Sequence, residues 1–148
     1  MNSNFSYPKW EDIPNIDLYL DQVLLYVNQV CDPVSPDKDK GLTASMVNNY
    51  VKHGYLTKPD KKKYQRKQIA RLIAITTLKS VFSIQEIAQT LNTLQTQASS
   101  DQLYDAFVNY MNHGIDPENP IIQTSCQTVK LYHQTLDLIL IKEEEEIQ

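Results

Sequence analysis

Apolar residues in this 148-residue chain return at intervals of three and four almost from end to end, and that period belongs to the α-helix. After Pro14, residues Ile16, Leu20, Val23, Leu24 and Val27 predict a first helix over about residues 15–31, and the two prolines of "CDPVSP" end it. Leu18, Tyr19, Leu25 and Tyr26 lie off that stripe, so this helix is expected to be buried on more than one side. A polar loop, "DPVSPDKDKG", leads onward.

The middle of the chain is punctuated by caps. Thr43 is placed to cap a helix through "ASMVNNYVKH", and Gly54 can take the left-handed conformation that stops it. Met46, Val47, Tyr50 and Val51 form its apolar stripe, which leaves Ser45, Asn48, Asn49 and Lys52 facing away. In "YLTKPDKKKY" a Pro59-Asp60 turn signal precedes three lysines, as expected of two tiny strands joined by a basic tip. Ile69, Leu72, Ile73, Ile75 and Leu78 predict the next helix. Ser83 and Glu86 then form a capping box flanked by Phe82 and Ile87 as a hydrophobic staple, so two helices meet at a corner near residue 82.

Charge is unevenly spread over this frame. Residues 40–79 hold ten basic side chains and one acid, Asp60, a net of +9, while the other 108 residues carry 4 basic and 17 acidic groups, a net of −13. The formal total of −4 therefore hides a dipolar molecule. A concentrated positive face suits a polyanionic partner, because it raises the local concentration of phosphate and speeds encounter.

The order of short helix, Tyr50, "KHGYL", basic tip, Tyr64, helix and "LKSVFSIQEI" resembles the MerR-type winged helix-turn-helix. More closely, "LYLDQV", "LTASMVNNYVKHGYL" and "LKSVFSIQEI" resemble the small YkrK-like bacterial family of uncharacterised function, over about residues 15–95. The resemblance implies a fold that is all-α with a small β wing, a helix (43–53) laid in the DNA major groove, and a wing (57–63) tracking the backbone. Ser45, Asn48, Asn49 and Lys52 become candidate groove contacts; Lys58, Lys61, Lys62, Lys63, Tyr64, Arg66 and Lys67 become candidate phosphate contacts on and beside the wing. Tyr50 and Tyr64 match the aromatic landmarks that in the MerR pattern pack the wing and can touch phosphate. Asn48 and Asn49 stand where two arginines are common in the MerR pattern, and asparagine pairs bidentately with adenine, which leans the expected preference to A·T. A long loop replaces the usual tight turn before the groove helix.

Beyond residue 97, Ser99 and Gln102 cap a helix carrying Leu103, Phe107, Val108 and Met111, with Gly114 as its stop. After "DPENP", a last helix from about Ile121 presents Ile122, Cys126, Val129, His133, Leu136 and Leu140 in steps of four and three. That spacing suits either an association seam of about 20 residues or a helix that caps the core. Three segments are thus expected: 1–36, an arm and first helix packed on the DNA-binding unit; 37–96, the winged-helix region; and 97–148, a helical extension and candidate dimerisation element.

Other classes find little support. Three glycines leave no room for a phosphate-binding loop, and Cys31 and Cys126 stand in no zinc spacing and read as buried apolar residues. His53, His113 and His133 fall in different elements without a catalytic motif, so no enzyme, metal or cofactor is expected. No bilayer-spanning run or leader is visible, and a cytoplasmic protein is expected. The expected function is sequence-specific binding of double-stranded DNA by a homodimeric transcription regulator. An excisionase-like architectural protein, or a winged-helix adaptor for a protein partner, is the alternative. No small-molecule effector is named by the sequence.

Overall fold

The computed structural model describes residues 6–31 and 41–147. The polar loop at 32–40, Lys40 of the basic window and the expected boundary after residue 36 lie outside the described residues. The described residues are mostly helical, with one two-stranded antiparallel sheet among them. A single 3-10 turn at Trp10–Asp12 precedes β1 (Leu18–Tyr19), α1 (Leu20–Cys31), α2 (Ala44–Lys52), β2 (Lys63–Tyr64), α3 (Arg66–Leu78), α4 (Ile84–Gln95), α5 (Ser100–His113) and α6 (Pro120–Ile147).

The first helix begins later than expected, at Leu20, because residues 18–19 are drawn into a sheet. Leu18 pairs with Tyr64 and Tyr19 with Lys63. Strand alternation puts Leu18 and Tyr64 in the core and their neighbours on the outer face, where the Lys63 ammonium sits 5.1 Å from the Tyr19 ring centre. The Gln22 carboxamide then accepts from the Tyr19 amide at 2.9 Å. Burial on several sides of this segment is also corrected. Only Val23 and Val27 of α1 are buried; Leu25 is 64% exposed and Ile16 68%.

Helix α3 is the hub. Ile69, Leu72, Ile73 and Ile75 are at most 1% exposed, each contributing about 1.5–3 kcal/mol of transfer free energy, and the helix packs on α1, α4, α5 and α6. Its neighbour α4 starts where the sequence places it: Ser83 accepts from the Glu86 amide at 3.2 Å, and Glu86 accepts from the Ser83 amide at 2.9 Å. One hydrophobic core runs from Tyr7 to Val129, across all three expected segments.

The N-terminal arm is strapped onto α5. The Tyr7 amide donates to Asn112 Oδ1 (2.8 Å), Asn112 Nδ2 donates back to the Tyr7 carbonyl (3.0 Å), and the Tyr7 ring meets Phe107 edge-on at 5.5 Å. The Trp10 amide donates to Asp105, and the Tyr104 hydroxyl to the Pro8 carbonyl, both at 2.8 Å.

The last helix, Pro120–Ile147, begins and ends close to where the sequence places it, and it divides into two halves. Over its 28 residues, roughly 42 Å of axis, Ile122, Cys126 and Val129 are buried in the core, and every residue from Leu131 onward is exposed. The first half caps the core; the second projects from it.

Candidate nucleic-acid interface

Helix α2 is fixed at both ends by the residues that predicted it. Thr43 Oγ1 accepts from the Met46 amide at 3.2 Å. At the other end Gly54 takes φ +77°, its amide donates to the Val51 carbonyl (3.1 Å), and the Tyr55 amide donates to the Tyr50 carbonyl (2.8 Å), the paired bonds of a Schellman stop. Val47 and Tyr50 are buried beneath the helix, and Ser45, Asn48, Asn49 and Lys52 are all exposed. The stop turns the chain directly into residues 55–58, so the exposed face of α2 and the basic tip share one short covalent connection.

The tip is a two-residue hairpin. Asp60 and Lys63 exchange backbone bonds of 3.1 and 2.9 Å, and Lys61 and Lys62 take φ values of 52° and 68°. Successive positive φ values are the signature of the tight hairpin turn that asparagine and glycine favour, and left-handed backbone costs an ordinary residue about 1–3 kcal/mol. Both lysines are exposed at this strained turn.

The outgoing side of the tip differs from expectation. Residues 55–58 do not form a strand; the returning strand β2 pairs instead with β1. Side chains of α3 replace the missing ladder. Gln68 Nε2 donates to the carbonyls of Thr57 (2.9 Å) and Lys58 (3.2 Å), while its Oε1 accepts from the Gln65 amide (2.7 Å). Arg71 Nε donates to the Tyr55 carbonyl at 2.7 Å. Neither Gln68 nor Arg71 was among the candidate residues. The Gln65-x-x-Gln68 capping pattern was present in the sequence, but the contacts to Thr57 and Lys58 are made across a turn whose path the sequence does not show.

Of the remaining candidates, Lys58 and Lys67 are exposed. Lys63 is half-buried against Tyr19. Arg66 is half-buried too, with its Nε bonded to the Ile13 carbonyl at 3.2 Å and its guanidinium 5.9 Å from the Trp10 ring centre. Tyr64 is 3% exposed and Tyr50 5%, so both aromatic landmarks pack in the core beneath the wing and present little surface to a phosphate. Among the described residues the one ion pair is Lys142–Glu145 in the distal part of α6, and none of their carboxylates pairs with the lysines of the tip.

A profile of the family described as Domain of unknown function (DUF1836) matches residues 8–107, 100 of the 148 positions, and the chain belongs to that family. The matched stretch runs from the arm through most of α5, taking in the whole basic surface. No curated protein and no solved structure matches the chain. Among the described residues no helix is long and apolar enough to cross a membrane.

Proposed function

We propose that this chain is a sequence-specific DNA-binding protein, a bacterial transcription regulator of MerR-like winged-helix type. In this reading α2 enters the major groove with Asn48 and Asn49 toward base edges and Ser45 and Lys52 toward the backbone, while Lys58, Lys61 and Lys62 follow the phosphates beside it. The observation that carries the reading is the tip itself: two exposed lysines held in left-handed backbone, without a carboxylate partner among the described residues, one turn away from an exposed polar helix face. Lys63, Tyr64 and Arg66 take a supporting role, tying the wing to β1 and the arm.

Two copies are needed for useful affinity, since one helix of nine residues spans only a few base pairs. The distal half of α6 is the surface that would join them. Leu131, Tyr132, Leu136 and Leu138 through Ile141 are each at least 40% exposed. Four consecutive apolar residues, Leu138 to Ile141, occupy every side of one helical turn, a pattern of helices covered by neighbours rather than by water.

Genomic duplex fragments retained by the full chain at about 0.15 M salt, then sequenced, test the proposal. Enrichment of an A·T-leaning inverted repeat is the expected result. Retention with no sequence enriched over input would contradict regulation through a site and favour an architectural role.

A further inference from the structure

Helices α3, α4, α5 and α6 line an apolar recess of about 80 Å³ that opens to solvent on its outer side. Ala74, Leu91, Leu94, Phe107 and Ile122 supply apolar wall, and no aspartate or glutamate lines it. Cys126, also on the wall, is a neutral thiol because burial pushes it up to about 12.

One face of α3 runs along the recess from Lys67 through Arg71 and Ala74 to Leu78, roughly 16 Å of helix axis, so both cations fall at its N-terminal end. Arg71 is half-buried, and its two hydrogen bonds go to neutral acceptors: the Tyr55 carbonyl at 2.7 Å and, from Nη2, Asn92 Oδ1 at 3.1 Å. A guanidinium has five donors, so most of its capacity is unused by the described residues, and none of them offers it a carboxylate. A partly desolvated cation in that position calls for an anion.

We infer that this recess is a binding site for an amphipathic carboxylate, a medium-chain fatty acid whose hydrocarbon fills the apolar trough and whose head group meets Arg71 and Lys67. The site stands independently of the DNA-binding reading. It also shares a side chain with the wing, because Arg71 holds the carbonyl from which the wing departs.

Calorimetric titration of the full chain with octanoate, and with octanol as its uncharged counterpart, tests the site. Octanoate is expected to bind one-to-one and at least about ten-fold more tightly than octanol. Arg71→Gln should erase that difference, and Ala74→Phe, which fills the trough, should weaken both ligands by about ten-fold or more. Lys67→Gln alters an exposed side chain away from the core and carries the head-group test even if the other variants fold poorly; it should weaken octanoate alone. Equal affinity for acid and alcohol, unchanged octanoate binding in Ala74→Phe, or no saturable heat would overturn the inference.

Discussion

Tyr50 lies at the junction of groove helix and wing with its ring buried and its hydroxyl without a hydrogen-bond partner among the described residues. Burial also raises its pKa, so the phenol stays neutral and cannot help a basic surface by changing charge. A buried hydroxyl left unpaired costs about 1–3 kcal/mol. Tyr50→Phe is therefore expected to hold or raise the melting temperature while leaving duplex affinity unchanged; a loss of affinity would instead assign the Tyr50 hydroxyl a contact with phosphate. Lys61 and Lys62 face the opposite balance. Replacing them with the residues their backbone prefers, Lys61→Asn with Lys62→Gly, should stabilise the fold by about 1 kcal/mol and weaken binding to every duplex. Denaturation and binding measured on one preparation check both signs. If stability and affinity move together, the lysines are not held there for contact with phosphate.

At the scale of elements, the caps were legible and the pairings were not. Thr43, Gly54, Ser83 with Glu86, Ser99 with Gln102, and Gly114 each act within a few residues of themselves, and each sits at a helix end in the structure. β1 and β2 are two residues each and meet across more than forty positions, too little pattern over too great a separation to read. A still greater separation, 105 positions, hid the strap of Tyr7 on Asn112, and with it the Phe107 contact. In α6 one unbroken apolar rhythm serves two environments, because a period of three and four looks the same whether the core or a second molecule receives it. That division changes what truncation should do. A fragment ending before Ile121 loses Ile122, Cys126 and Val129 from the core and should unfold, whereas one ending at Lys130 keeps them and should remain folded as a monomer. Circular dichroism and sedimentation of the two fragments distinguish these outcomes. A folded 1–120 fragment would show that α6 adds little to the core.

At the scale of the whole molecule, stability has a pH limit of its own. Burial raises the folded-state pKa of Tyr7, Tyr104 and Cys126 above their ordinary values of 10.0, 10.0 and 9.0. Above those values the unfolded chain has released protons that the folded chain keeps, so stability is complete below about pH 9 and declines as pH climbs toward 12. Thermal melts between pH 7 and 11 should show a plateau and then a fall; a rise above pH 9 would be the wrong sign.

The most direct test of duplex binding is the salt dependence of affinity for random DNA. The logarithm of the binding constant should fall linearly with the logarithm of salt concentration, and changing Lys61, Lys62 and Lys63 together to alanine should reduce the magnitude of that slope. Because Lys63 rests on Tyr19, two lost phosphate contacts are expected rather than three, a change of about 1.8 at about 0.9 per contact. A slope unchanged by the triple substitution, or no binding by the parent chain at low salt, would contradict a wing that holds DNA.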